Sequence, residues 1–288
     1  MHSFLPAIGF SKLNKEALNK LIEEITLRPD YQESAIDFEG NQFVELRYMI
    51  ADGIGIVLRG VYNQDDEFVM DYYYPTYFGE NISSEGDIEI IKQTDKESYY
   101  AVCDETKLGV SLIFYLQNMG EFLRVSSGEN HGDSRGVKLA GLSLEGKIIL
   151  PVINNETEKT KIKKQDRYNL IEQAKDGDEV AIESLTLDDI ETYAKISKRA
   201  MQDDILTIVL SYFMPYGIEN DKFEILGEIT ECKKIVNHLT MEELYNMTVK
   251  TNDILIDVCI NAKSLLGEPQ VCRRFKGSIW LQGKVEFA

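Results

Sequence analysis

Phe43-Val44-Glu45-Leu46-Arg47-Tyr48-Met49-Ile50-Ala51-Asp52-Gly53-Ile54-Gly55-Ile56-Val57-Leu58-Arg59-Gly60-Val61 is the stretch from which the fold is read. Two runs of β-branched, aliphatic and aromatic residues flank Asp52-Gly53, the composition of two strands joined by a tight turn. The pattern extends outward through 67–74, after the turn Asn63-Gln64-Asp65-Asp66, and through 88–91, 98–103 and 110–116. Segments 139–144 and 147–152 read as a last hairpin around Glu145-Gly146. Upstream, Leu18, Leu21, Ile22 and Ile25 fall at i, i+3, i+4 and i+7, an amphipathic helix stopped at Arg28-Pro29. Residues 4–10 form an apolar strand or anchor. The first half is therefore expected to be an antiparallel sheet with a packed helix.

The polar stretch 154–161 has no apolar period and reads as a linker between a domain at 1–153 and a second part at 162–288. The charge also changes there, from net −12 over 1–150 to net −6 over 151–288. The second part begins helical, with Tyr168, Ile171 and Ala174 on one face and a break at Asp176-Gly177-Asp178. Ile182 and Leu185 mark a short segment, and Thr186-Leu187-Asp188-Asp189 reads as a capping box that opens a helix running to Met201. Residues 205–210 are strand-like.

The last third reads as strands at 223–229, 244–251, 254–260, 275–281 and 284–287. A helical turn is expected at 240–243, and a short helix at 262–266 is capped by Asn261 and closed by Gly267. That order suits a small closed barrel of the OB type, or a sandwich. The expected class is α+β: an antiparallel β-rich N-terminal domain with a packed helix, a helical middle segment, and a C-terminal small OB-like β-barrel or sandwich.

The chain has 288 residues, 43% hydrophobic and 28% charged, with a formal net charge of −18. That sign opposes nonspecific nucleic-acid binding and anionic membrane surfaces, and no run approaches the ~20 apolar residues of a membrane span. Residues 1–10 carry no basic leader region and Pro6 interrupts their apolar run, which points to the cytoplasm. Cys103, Cys232, Cys259 and Cys272 have no C-x-x-C spacing, and His2, His131 and His238 are scattered, so reduced thiols and no metal or cofactor are expected. Gly141 to Ile148 approaches a phosphate loop, but Ile148 stands where Ser or Thr must ligate magnesium. Gly53-Ile54-Gly55 precedes a strand rather than the helix a dinucleotide site needs. Asp176-Gly177-Asp178-Glu179 lacks the alternate ligand spacing of a calcium loop.

Three segments carry candidate sites. The loop Ser126 to Gly136 gathers His131, Asp133 and Arg135, a base, an acid and a cation, although catalytic sets usually converge from distant chain positions. Asp71-Tyr72-Tyr73-Tyr74-Pro75-Thr76-Tyr77-Phe78 offers Tyr72, Tyr74 and Tyr77 as binding residues with apolar rings and polar tips. Arg273 and Arg274 with Trp280 could bind an anion or single-stranded nucleic acid. By parity Trp280 sits opposite the core face of its strand, so the helical segment 168–201 or the first domain should cover it, or else a bound partner.

Tyr212-Phe213-Met214-Pro215-Tyr216-Gly217, Asp257-Val258-Cys259-Ile260-Asn261, Leu266-Gly267-Glu268-Pro269, Arg274-Phe275-Lys276-Gly277 and Trp280-Leu281-Gln282-Gly283 carry a resemblance, together with His2-Ser3-Phe4-Leu5 and Ala7-Ile8-Gly9-Phe10. The chain resembles a domain-of-unknown-function family of clostridia-type anaerobic bacteria. The resemblance implies a bacterial cytoplasmic setting and glycine at the position of Cys272, so that thiol has no required chemistry; it brings no activity or cofactor. The expected function is non-enzymatic binding of a protein or small molecule. The alternatives are a hydrolase built on His131 and an OB-type nucleic-acid or anion binder built on Arg273, Arg274 and Trp280.

Overall fold

The computed structural model describes residues 1–92, 99–105, 110–126, 134–151, 158–200, 206, 209–217 and 221–287. A helix α1 (Lys15–Leu27) leads into β1 (Tyr31–Ile36), β2 (Gln42–Ala51), β3 (Ile54–Tyr62) and β4 (Phe68–Tyr77). Then come β5 (Ile88–Lys92), β6 (Tyr99–Glu105), β7 (Val110–Leu116), α2 (Met119–Ser126) and β8 (Ser134–Ile149). The helices α3 (Glu158–Lys175) and α4 (Glu179–Ala200) precede β9 (Tyr212–Pro215), β10 (Lys222–Val236), β11 (Glu243–Thr251), β12 (Ile254–Asn261), β13 (Leu265–Leu266) and β14 (Arg274–Phe287). The molecule is α+β, β-rich and mostly antiparallel.

Strands β1–β4 form one antiparallel sheet in sequence order. The others form a ten-stranded sheet in the order β13-β8-β12-β11-β10-β14-β7-β6-β5, with β9 beside β10 and an additional pairing of β8 with β14. Its parallel contacts are β8 with β12, β8 with β13, and β7 with β14. One face holds Phe114, Ile225, Val249, Ile256, Val258, Phe275 and Leu281. The other face, through Tyr115, Leu142, Cys259 and Trp280, packs on Leu58 and Tyr74 of the small sheet, on Leu21 and Ile25 of α1, and on the N-terminal Phe4, Leu5 and Ile8. Each such aliphatic or aromatic side chain contributes about 1.5–3 kcal/mol on burial.

The expected apolar anchor at the N-terminus is a 3₁₀ turn, Leu5–Ile8, ended by Gly9 at φ +91°. The helix read from Leu18, Leu21 and Ile25 is α1, which buries those three and is capped by Asn14 accepting from the Ala17 amide.

Several expected breaks are absent. The hairpin at Glu145-Gly146 is one continuous strand, because β14 pairs with β8 along its length. Gly146 makes room rather than a turn: a Cβ there would lie 2.5 Å from the Phe275 ring. Gly283 likewise does not divide β14, since it admits the Phe114 ring, 2.5 Å from where its Cβ would be. Thr186 lies inside α4, and its hydroxyl donates to the Ile182 carbonyl instead of capping a new helix. No helical turn precedes β11, where Met241 has φ +59°. Residues 158–161, read as linker, begin α3, while 152–157 lie outside the described residues, as do 205, 207 and 208 of the strand-like 205–210. Strands β1 and β9 were not expected.

Candidate functional site

The site begins with a bulge in β10. Ile229 pairs with Val249, but the next registered pair is Glu231 with Thr248. One extra residue reverses the alternation, so Glu231 and Lys233 join the face of Thr248 and Asn246 instead of following the buried Ile229. Across the ladder the rows are Glu231–Thr248–Asp257 and Lys233–Asn246–Cys259.

Asp257 is buried and ties this face to the segment after β4. Its carboxylate accepts from the Glu80 amide at 2.8 Å, the Asn81 amide at 3.2 Å and the Thr248 hydroxyl at 2.7 Å, and it also accepts from the Asn81 side-chain amide. Gly79 allows the close pass, since a Cβ there would meet the Leu139 carbonyl at 3.0 Å. The clamp places Glu80 beside a small, open cleft of about 30 Å³ between the two sheets. Tyr77 and the turn residue Asp52 close one wall; Glu231, Lys233, Asn246 and Thr248 form the other, with Ile235 as an apolar patch.

The Tyr77 side chain is 6% exposed, and among the described residues its hydroxyl has no hydrogen-bond partner. Burial, then the nearby Asp257, Cys259, Glu80 and Asp52, push its phenol above the ordinary value, so it stays protonated. The Asn246 Oδ1 is also buried without a partner. Lys233 stands 3.7 Å from Glu80, and both side chains are largely exposed. Among the described residues no three His, Cys, Asp or Glu side chains are grouped to hold a metal ion. The Thr248–Asp257 pair resembles a nucleophile beside a base, but the carboxylate already accepts bonds from two backbone amides and a side-chain amide. It serves as a clamp.

Of the residues singled out from sequence that lie among the described residues, only Tyr77 lines this cleft. Tyr72 and Tyr74 belong to a buried ionic cluster around Arg59, whose guanidinium donates to both hydroxyls at 2.9 Å, to Tyr115 at 3.0 Å and to Glu45 at 2.8 Å. Trp280 is 5% exposed, against the rings of Phe4, His2 and Tyr115, with its indole donating to Asp221 at 2.6 Å. The N-terminal segment is thus its cover. Arg274 is buried and donates to the carbonyls of Leu150, Leu206 and Val209. Arg273 donates to the Glu268 carbonyl. Arg135 is exposed on β8, and His131 and Asp133 lie outside the described residues.

Asp257 was legible in principle, as a lone carboxylate on the opposite parity from Ile254, Ile256, Val258 and Ile260. Glu231 and Lys233 were not, because the bulge that aims them has no local signature.

The model of one protein family, described as "Domain of unknown function, E. rectale Gene description (DUF3881)", matches residues 5–283. No curated protein and no solved structure matches the chain.

Proposed function

We propose a function for a chain that belongs to the DUF3881 family of unknown function: it is a non-enzymatic binding protein that takes a small ligand in the cleft between Tyr77 and the β10–β12 face. The observation that carries this reading is a buried Asn246 side-chain carbonyl without a hydrogen-bond partner, in a cleft that Tyr77 also lines. Buried polar groups are normally satisfied, and a ligand supplies what the Asn246 carbonyl lacks; the Tyr77 hydroxyl stands ready as a donor to the same ligand.

The scaffold, on this reading, is a small OB-type barrel. The pairings run from β8 to β12, β11, β10 and β14 and back to β8, with β8 contributed from the first half of the chain. In folds of that type the second and third strands of the meander carry the ligand face; here those are β11 and β12, which bear Asn246, Thr248 and Asp257. This is a fold-level analogy, and the acidic charge turns it away from nucleic acid. The cytoplasm is the compartment that fits, since all four cysteines are free. Among the described residues no helix is long and apolar enough to cross a membrane.

The test is thermal unfolding of the full chain against a panel of amines, sugars, carboxylates and nucleotides. A ligand present at about one hundred times its Kd stabilises by about 2.7 kcal/mol, and Tyr77→Phe should abolish most of the shift. A shift that Tyr77→Phe leaves intact, or turnover of ester or amide substrates by the purified chain, overturns the reading.

A further inference from the structure

We propose that the ligand of this cleft is a small organic polycation, two or more ammonium groups joined by methylene spacers. The inference rests on the cleft being the ligand site.

Three carboxylates, Asp52, Glu80 and Glu231, stand exposed at the cleft, while the fourth, Asp257, is spent on the clamp. One ammonium, Lys233, faces them. The surplus charge is therefore negative and selects a cation. It is also dispersed: among the described residues no three acidic side chains converge as a single metal ion requires. A ligand that meets separated carboxylates must carry separated positive charges. The surface between them includes the aliphatic side chain of Ile235, which suits a methylene chain and not a sugar. Asn246 Oδ1 supplies a neutral acceptor for an N–H donor, and the Tyr77 hydroxyl oxygen can supply another. Lys233 meets Glu80 only loosely, at 3.7 Å, and stands where one ligand ammonium would dock, so it acts as an internal competitor that a ligand displaces.

The experiment is titration of the ¹⁵N-labelled full chain, followed by amide shifts of Tyr77, Glu80, Glu231 and Asn246, with putrescine and spermidine. Magnesium chloride, ammonium chloride and glucose are the controls, at matched ionic strength. The expected result is saturable binding of both amines, spermidine the tighter. Glu80→Gln and Glu231→Gln, both surface changes, should each weaken it about tenfold, the value of one charge-assisted hydrogen bond. Lys233→Gln should tighten it. Tyr77→Phe, which keeps the buried ring, should weaken binding without changing the fold. Amine shifts no larger than those from magnesium or ammonium at equal ionic strength overturn the polycation. If glucose perturbs these four residues and the amines do not, the polycation falls and the cleft stands as the site. If no probe moves them, both fall.

Discussion

Arg59, 1% exposed, shows how single residues join the two sheets. It lies on β3 of the small sheet, yet it bonds Tyr115 and the Leu116 carbonyl of the large one. Glu45 neutralises it, Arg47 pairs with Glu45 and Glu33, and Arg124 closes the chain on Glu33. Removing one partner from such a buried set leaves an uncompensated charge. His2 has the opposite character, a base held neutral. Its ring stacks near Trp280, and its Nδ1 accepts from the Phe4 amide. Burial, then the N-terminal amine and Lys222, lowers its pKa from 6.5 to about 4. The unfolded chain takes up the proton first, so this contribution is complete above pH 6.5 and is lost as pH falls toward 4. The loss amounts to about 2–3 kcal/mol. In denaturant melts from pH 7 to 4, wild type should lose that much more stability than His2→Phe; equal losses would refute it. Cys272 sits exposed at φ +71°, a conformation that glycine adopts without strain. Cys272→Gly should therefore stabilise by about 1 kcal/mol, even though glycine costs unfolded-state entropy. A destabilised variant would mean that the thiol has a packing role.

Strands β8 and β14 show the same effect at the scale of an element. Both carry glycines that in isolation end strands. Here Gly146 and Gly277 face each other across the ladder, and the Phe275 ring lies against both. Adding a methyl at Gly146 forces the ring or the backbone aside, an overpacking cost of about 1–3 kcal/mol. Gly146→Ala should lower the unfolding midpoint accordingly. Pairing it with Phe275→Leu should give less than the summed loss, because the smaller side chain vacates the contested space. Strict additivity would show that the Phe275 ring is not what crowds position 146.

At the scale of the whole molecule, the large sheet draws strands from both sides of the polar stretch 154–161. β8 and β14 share thirteen registered positions, and β8 also pairs with β12. A protease that nicks 154–161 is expected to leave both fragments in one native particle, separable only in denaturant. Gel filtration of the nicked protein checks this. Separate elution of folded fragments would mean that the two parts at 1–153 and 162–288 stand alone.

The features readable from residue order alone are local ones. Periodicity placed α1 and most of the strands, because a buried stripe or an alternating face is written into neighbouring residues. It also put Trp280 opposite the core face of β14, and its turn signal at Asp52-Gly53 holds in the structure. Long-range packing settles whether a glycine is a turn or a gap for a distant ring, which side chains cover Trp280, and that Tyr74 and Arg274 are spent on buried bonds. It alone decided the cleft, since the bulge at Ile229/Glu231 reverses a face and the Asp257 clamp joins positions far apart in the chain. Such pairings depend on long-range register, to which a local pattern of residue types is blind.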